Sequence, residues 1–214
     1  MHTLNIKNLT VTREDKLVVD NASLEVRSGE IHIILGPNGS GKSTLLNAVM
    51  GHPVYIIKDG TVFLDNDDIL ALPIEKKANK GLFLAMQQLP AVGGVTMLTF
   101  LHQAYRLLKG GDVSILDFYK TLSGKIKEFN LDESLLKRYV NVNFSGGEKK
   151  QAQIIELLAL EPKFALLDEI DSGVDMDSLN KVFASIEKLR EHGTGFVIVT
   201  HLGTILEKIT PNRV

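Results

Sequence analysis

The chain of 214 residues is long enough for one sizeable α/β core with an insertion, and too short for two comfortable independent domains. Its net charge of −2 gives no general attraction to nucleic acid, and the absence of cysteine excludes thiolate metal sites and covalent sulfur chemistry. Because no apolar stretch approaches the roughly 18 residues of a membrane span and the N-terminus is no signal peptide, we expect a soluble, cytoplasmic protein that binds no nucleic acid and inserts into no membrane.

The first part of the chain is predicted to consist mainly of strands. Leu4 to Val11 alternates apolar and polar residues with a slip at Asn8, which indicates a strand with one buried face. Leu17 to Val26 is predicted as a further strand after a polar turn. The apolar run from Ile31 to Leu35 then predicts a buried strand, and Ser43 to Met50 predicts a helix.

The residues at the junction of that strand and that helix match the phosphate-binding P-loop pattern G-x-x-x-x-G-K-[S/T] at every defined position. Glycines let successive backbone N–H groups turn toward an anion, and the helix N-terminus adds roughly half a positive charge. The lysine then reaches the β and γ phosphates, and the serine offers its hydroxyl to Mg²⁺. The predicted nucleotide-binding residues are Gly36, Pro37, Asn38, Gly39, Ser40, Gly41, Lys42, Ser43 and Thr44.

Two further strands are predicted before the pattern changes. Gly60 to Leu64 reads as a short strand closed by the acidic tetrad from Asp65 to Asp68. The tetrad suggests a calcium site, but the spacing of an EF-hand loop fails at Ile69 and no glycine follows, which favours a turn. Leu82 to Met86 is an apolar strand candidate that ends before Gln87.

Helical periodicity governs the middle of the chain. Apolar residues between Leu89 and Tyr139 recur at helical spacing in three segments, which predicts a helical insertion. The segments run from Leu98 to Leu108, from Ile115 to Phe129 and from Leu131 to Tyr139.

A second candidate anion site follows this insertion. Ser145, Gly146 and Gly147 stand immediately before a helix predicted to reach about Leu160, so they repeat the arrangement of the P-loop. We expect something negative to meet them. Taken alone, Ser145 could equally serve only as an N-cap.

The C-terminal part is predicted to complete the sheet. Four apolar residues from Phe164 lead into the carboxylates Asp168 and Glu169, and Phe196 to His201 is a last buried strand after a helix from Asp177 to His192. Parallel strands present their polar ends at one edge, which holds the ligand in open α/β sheets. The carboxylate pair is therefore favoured as a Mg²⁺ and water site over a solvated turn, whereas the histidine alone fits a core as well as a site.

The short basic runs have a simpler explanation than a binding patch. Lys76-Lys77 and Lys149-Lys150 are, with Lys137-Arg138, the Lys or Arg doublets of the chain. Such doublets are typical of solvated helix faces, so we expect their side chains to be exposed.

In order and spacing, these motifs resemble those of the ATP-binding-cassette (ABC) ATPases. In the resemblance Asp168 is the Walker B aspartate that holds Mg²⁺, and Glu169 is the carboxylate that polarises the attacking water. Gln87 resembles the Q-loop glutamine that touches Mg²⁺, and His201 the switch histidine at the γ-phosphate. The resemblance thus implies Mg²⁺-dependent ATP hydrolysis, with catalytic residues Lys42, Gln87, Glu169 and His201 and metal ligands Ser43, Gln87 and Asp168.

The resemblance also implies an architecture and an assembly. Phe144 to Glu148 resembles the ABC signature and Ser172 to Asp175 the D-loop. In this family the signature meets the γ-phosphate bound to the partner subunit, which implies an ATP-dependent homodimer. The implied fold is a single α/β P-loop domain over 1–214, with a mainly parallel sheet, an N-terminal antiparallel β subdomain and a helical subdomain inserted at about 89–147.

Within the family, the segments from Tyr139 to Lys150 and from Leu167 to Asp177 resemble most closely the SufC sub-family of iron–sulfur cluster assembly ATPases. The continuation Glu148-Lys149-Lys150 differs from the glutamine-end signature usual in transporters. The resemblance implies SufB- and SufD-like scaffold proteins as partners, reshaped by ATP-driven dimerisation. The nucleotide-binding subunit of a membrane transporter is the alternative, and an ATP-binding switch without turnover is a weaker one, disfavoured by the complete catalytic set.

The sequence departs from the SufC pattern in three places. No aromatic residue that could stack on adenine occurs between Leu9 and Val18, so we expect weak apolar base recognition through Val11 or Val18. Ile170 replaces a small polar residue. The chain ends at Val214, where SufC proteins continue into a further strand pair and a helical region.

The segment after the Q-loop glutamine is a candidate docking surface. Gln88 to Val95 carries no charge and is rich in small and apolar residues, so it could be only a linker. The functional hypothesis is that Leu89 to Val95 and a helix beginning near Thr99 form a shallow apolar groove for a helix of the scaffold subunit.

Overall fold

The computed structural model describes residues 1–214, which form two compact units. The first unit comprises Met1–Met86, Pro162–Ile170 and Leu189–Val214, and the second comprises Gln87–Glu161 and Asp171–Lys188. None of the helices combines the length and the apolar character that a bilayer span requires.

The chain contains eight strands, six α-helices and two short 3₁₀ helices. The strands are β1 (Thr3–Arg13), β2 (Lys16–Arg27), β3 (Ile31–Leu35), β4 (Ile56–Leu64), β5 (Asp67–Asp68), β6 (Leu82–Ala85), β7 (Phe164–Asp168) and β8 (Gly195–Thr200). The α-helices are α1 (Lys42–Met50), α2 (Ile74–Asn79), α3 (Met97–Lys109), α4 (Ile115–Glu128), α5 (Gly146–Leu160) and α6 (Met176–Glu191). The 3₁₀ helices are Glu133–Lys137 and Gly203–Glu207.

The N-terminal strands form an antiparallel sheet of order β2-β1-β4-β5. The predicted slip at Asn8 is confirmed, since the register of β1 against β2 shifts between Ile6 and Leu9 and Asn8 has a left-handed φ of 51°. This bulge keeps Leu4, Ile6, Leu9 and Val11 on the buried face, where each is at most 1% exposed.

The second sheet is parallel throughout, in the order β3-β8-β7-β6. Every residue of β7 and β8 is buried, which explains why these strands are continuous apolar runs rather than alternating ones. The predicted α/β fold, with an antiparallel N-terminal sheet and a parallel sheet, is confirmed. The P-loop after β3, Asp168 at the end of β7 and the residue after β8 consequently lie at the same edge.

The second unit is helical, with one correction to the predicted segments. The helix expected to begin near Thr99 begins at Met97, because Thr96 is its N-cap and accepts a hydrogen bond from the Thr99 N–H. The segment from Leu131 to Tyr139 is not an α-helix but contains only the 3₁₀ helix Glu133–Lys137. The end of this segment pairs with the start of α3 instead: the carbonyl of Arg138 accepts a hydrogen bond from the Met97 N–H, and Tyr139, which is 49% exposed, forms a β-bridge with Thr96.

The prediction that the basic doublets are solvated was wrong for one lysine in each of the pairs Lys76-Lys77 and Lys149-Lys150. Lys77 is fully buried and Lys150 is 5% exposed. The Nζ of Lys77 donates to the carbonyl of Val49 at 2.8 Å, and burial lowers the pKa of this lysine. A cation at the C-terminal end of α1 complements the helix dipole and ties α2 to the helix that follows the P-loop.

The acidic tetrad forms a turn that ties down the N-terminus. Asp65 has a left-handed φ of 58°, and its carboxylate accepts hydrogen bonds from the Thr3 N–H, the His2 ring and the Lys163 amine. Burial opposes the ionisation of Asp65, but the three hydrogen bonds outweigh it and lower its pKa from 3.8 to about 2. The other two acids of the tetrad, Asp67 and Asp68, form the short strand β5, which pairs with Phe63 and Leu64 of β4.

Asp65→Asn is expected to lower the free energy of unfolding by about 1–2 kcal/mol at pH 7, allowing for solvent screening of a partly exposed side chain. Asparagine tolerates the left-handed backbone, so the loss of unfolding free energy measures the removal of the negative charge rather than backbone strain. Because the folded pKa is depressed, the stabilisation is present above pH 4 and is lost as the pH falls toward 2. Urea unfolding at pH 7 and at pH 2 measures this, with the exposed Asp20→Asn as control. A difference from the parent that is undiminished at pH 2 would contradict the assignment.

Candidate active site

The P-loop lies between β3 and α1, and its last glycine, Gly41, is required by close packing against β2. Gly41 is the N-cap of α1 and has a φ of 93°. A Cβ atom on Gly41 would lie 2.6 Å from the carbonyl oxygen of Val18, so a side chain would clash with the β2 backbone. The strand thus fixes the loop that presents the helix N-terminus.

Lys42 is held over the loop. Lys42 is only 8% exposed, and its Nζ donates to the carbonyls of Gly36 at 2.7 Å and of Pro37 at 2.8 Å. The cation therefore lies at the N-terminal end of α1, where the helix dipole adds further positive potential. This arrangement favours a polyanion at the loop.

Two residues far apart in the sequence meet beside the P-loop. Ser43 Oγ donates to Asp168 Oδ1 at 2.7 Å across 125 positions of the chain, and Asp168 is 4% exposed. Both are oxygen donors of the kind Mg²⁺ prefers, and neighbouring ligands of an octahedral Mg²⁺ lie about 3 Å apart. The pair therefore fits the metal that the sequence predicts.

Glu169 and His201 form the second pair of the site. Glu169 follows β7 with a left-handed φ of 49°, and its N–H donates to the carbonyl of Val199 at 2.9 Å. Its Oε1 lies 3.5 Å from Nδ1 of His201, which follows β8. A non-glycine residue held in this conformation stores roughly 1 kcal/mol or more of backbone strain, which is typical of functional positions.

The other predicted residues belong to the second unit. Gln87 lies two positions after the end of β6 and begins that unit, and Ser145, Gly146 and Gly147 lie within it. The structure thus brings together Lys42, Ser43, Asp168, Glu169 and His201 within the first unit, and it places the Q-loop glutamine and the signature in the second.

The signature is an N-terminal capping box. Ser145 Oγ accepts a hydrogen bond from the Glu148 N–H, and the Ser145 N–H donates to Glu148 Oε2 at 2.7 Å. A Cβ on Gly146 would lie 2.1 Å from the carbonyl of Gly173, and one on Gly147 would lie 2.3 Å from Ser178 Oγ. The two glycines are therefore required by contact with the D-loop and the start of α6, a reason that the sequence pattern alone does not reveal.

Sequence reasoning also missed one contact of the signature and misplaced another residue. Arg138 pairs with Glu148, and the available signal was the glutamate itself, which needs a counter-charge.

Val11, a candidate for adenine recognition, is fully buried in the antiparallel sheet and cannot touch a base. Val18 is only partly buried and lies against Gly41, so it keeps that candidacy.

Comparison with known proteins places this site in a family. The family model described as "ABC transporter" matches residues 19–172. The chain belongs to the ABC transporter ATP-binding family. This ABC ATPase therefore binds and hydrolyses ATP, and its P-loop and Walker B aspartate fall within the matched residues.

Relatives with different names are about equally similar to this ABC ATPase. A "Probable ABC transporter ATP-binding protein" of Streptococcus pyogenes serotype M3 is 43% identical over 100% of the chain and 84% of its own length. The "Probable ATP-dependent transporter SufC" of Escherichia coli K12 is 42% identical over 99% of the chain and 87% of its own length. A solved structure described as a dimeric bacterial ABC transporter cassette has a TM-score of 0.81 at 24% identity, and the match covers 95% of this chain and 90% of that one. At this identity the similarity establishes a shared fold and nothing further.

Proposed function

We propose that this ABC ATPase is the SufC-like subunit of a cytoplasmic iron–sulfur cluster assembly machine, in which it dimerises on ATP and changes the conformation of a SufB/SufD-like scaffold. The observation that carries the proposal is the signature itself, which ends in Glu148-Lys149-Lys150 rather than in the glutamine usual in transporters. The 42% identity to the E. coli SufC supports it. We propose one domain over 1–214, with a helical subdomain at about 89–147.

The residues of the first unit divide the work of hydrolysis in this proposal. Lys42 and the P-loop N–H groups neutralise the β and γ phosphates. Ser43 and Asp168, with Gln87 of the second unit as a further proposed ligand, would hold Mg²⁺, and the bound metal would neutralise charge on the phosphates. Glu169 orients the attacking water and accepts its proton, and the neighbouring His201 contacts the γ-phosphate.

A second copy of the chain completes the site. The N–H groups of Gly146 and Gly147 at the start of α5, together with the hydroxyl of the N-cap Ser145, are proposed to meet the γ-phosphate bound to the partner copy. A lone chain would then bind ATP but hydrolyse it poorly. The dimer of the cassette with the same fold supports this proposal by analogy of fold.

The nucleotide-binding subunit of a membrane transporter is the second candidate function. The streptococcal relative named as a probable ABC transporter ATP-binding protein favours it at 43% identity. Affinity purification from the native host, followed by identification of the bound proteins, tests the two. Co-purification of scaffold proteins supports the assembly machine, and co-purification of membrane-embedded subunits would replace it with the transporter.

The loop after Gln87 is the proposed docking surface for the scaffold. Its backbone is anchored, because the Val92 N–H donates to the Val140 carbonyl at 2.9 Å and the Val140 N–H donates to the Val95 carbonyl at 3.1 Å. Val92 is 40% exposed and the nearby Phe100 is 43% exposed. Anchored backbone with exposed apolar side chains suits an apolar helix of a partner better than it suits a free linker.

Val92→Asp or Leu89→Asp is expected to weaken scaffold binding by about 2 kcal/mol or more, which is roughly 30-fold. Binding of ATP to the isolated chain should hardly change, because neither side chain is assigned a phosphate contact. Titration of each variant with scaffold and with ATP measures both affinities. Val54→Asp is the matched control, since Val54 is 45% exposed and lies in the first unit. Unchanged scaffold affinity in both variants would place the docking surface elsewhere.

A further inference from the structure

The glutamate of the signature creates an electrostatic problem for the proposed dimer. Glu148 lies in the first turn of α5, at the helix end that is proposed to meet the γ-phosphate of the partner's ATP. An uncompensated carboxylate there would repel a phosphate, and the repulsion strengthens as water is excluded. A glutamine at this position would carry no charge and would need no compensation.

Arg138 compensates this charge with an ion pair and makes two further contacts that hold the guanidinium in place. Its guanidinium pairs with Glu148 Oε1 through Nη1, and its Nη2 donates to the carbonyl of Asn143 at 2.9 Å. The guanidinium carbon lies 4.4 Å from the ring centroid of Phe144, in a cation–π arrangement. Hydrogen bonding to Arg138 is the largest cause of the lowered pKa of Glu148, which favours the ionised carboxylate.

The arginine is itself held in place. It follows the 3₁₀ helix Glu133–Lys137, and its backbone carbonyl accepts a hydrogen bond from the N–H of Met97 at 2.9 Å. The remaining oxygen of Glu148 accepts from the Ser145 N–H. A continuous set of contacts therefore runs from the start of α3 through Arg138 and Glu148 to the backbone of the signature.

We propose that Arg138 is a positioning residue for ATP hydrolysis: it neutralises Glu148 and fixes the backbone from Asn143 to Ser145, so that the N-terminus of α5 accepts the partner's γ-phosphate. This inference rests on the proposed ATP sandwich between two copies of the chain. It assigns to the arginine a task that exists only because a glutamate stands where a glutamine would be neutral.

Rescue by a second substitution separates this role from a merely structural one. Arg138→Met is expected to lower the ATPase rate, and to raise the ATP concentration needed for dimerisation in a Glu169→Gln background, by about tenfold in each case. The double variant Arg138→Met/Glu148→Gln should recover most of both losses, because the carboxylate that needed a partner is gone. Lys137→Met is the matched control, since it removes an exposed cation at the adjacent position that has no contact with Glu148.

Each result decides between these roles. If the double variant is no better than Arg138→Met, the arginine acts through packing on Phe144 and the electrostatic role is wrong. If Lys137→Met lowers the rate as much as Arg138→Met, the effect belongs to the general field and not to the pair. Should Arg138→Met fail to fold by thermal melting, Arg138→Lys keeps the cation and should retain most of the activity, and a tenfold loss in that variant would overturn the proposal.

Failure of the sandwich itself is distinguishable from failure of this inference. A Glu169→Gln parent that stays monomeric with saturating ATP and Mg²⁺ contradicts the dimer and, with it, the role of Arg138. A parent that dimerises while its Arg138→Met derivative dimerises at the same ATP concentration contradicts only the role of Arg138.

Discussion

Lys42→Ala is expected to remove ATP turnover almost wholly, by roughly 10²-fold or more, since the lysine supplies charge that developing phosphate anions need. In the structure its Nζ lies within 2.8 Å of two P-loop carbonyls, so the cation is already placed where the phosphates would arrive. Backbone dipoles and the end of α1 remain in the variant, but they supply only partial charges. Steady-state hydrolysis and a fluorescent ATP-analogue titration measure the two consequences.

The matched control for this variant is Lys58→Ala, which removes an exposed lysine from β4 of the same unit. It should hydrolyse ATP at the parent rate. Thermal melting of Lys42→Ala shows whether the loop still folds without its internal hydrogen bonds. If a folded Lys42→Ala protein hydrolyses ATP at the parent rate, the assignment of the P-loop as the site of turnover is wrong.

The parts of the fold that the sequence predicts well are those whose physics is local. The strands Phe164–Asp168 and Gly195–Thr200 are buried on both faces, so nearly every residue in them is apolar and the pattern is unmistakable. The P-loop is equally clear, because its glycines, lysine and serine all serve phosphate or metal binding and lie within a few residues of one another in the sequence. The meeting of Ser43 with Asp168 followed from the parallel arrangement of these strands.

The errors arose where a side chain's environment is set by distant parts of the chain. Burial of Lys77 depends on the free carbonyl at the end of α1, 28 positions earlier, which no pattern around Lys77 encodes. The segment from Leu131 to Tyr139 has helical spacing, yet its end pairs with the start of α3, where Tyr139 bridges to Thr96, and the segment contains only a 3₁₀ helix. Gly146 was explained by anion binding alone, whereas the contact with Gly173 independently forbids a side chain there.

Glu169→Gln is expected to retain ATP and Mg²⁺ binding while slowing hydrolysis by roughly 10²-fold or more, the range for loss of a general base or water-orienting group. Glutamine keeps the shape of the side chain and its contact distance to His201, but it cannot accept a proton. Lys42, Ser43 and Asp168 are unchanged, so the binding of nucleotide should persist. Hydrolysis rates and ATP titrations on the same preparation separate the two effects, with Glu75→Gln, at an exposed position in α2, as control.

Slow hydrolysis has a consequence for assembly that makes this variant the stronger test. If ATP joins two copies of the chain and its hydrolysis releases them, the Glu169→Gln protein should accumulate as a dimer with saturating ATP and Mg²⁺, because the release step is blocked. The parent should show little dimer under the same conditions, and ADP should support none in either protein. Size-exclusion chromatography with light scattering distinguishes these states. A variant that hydrolyses slowly, binds ATP and still elutes as a monomer would leave the catalytic role of Glu169 intact while excluding the ATP sandwich.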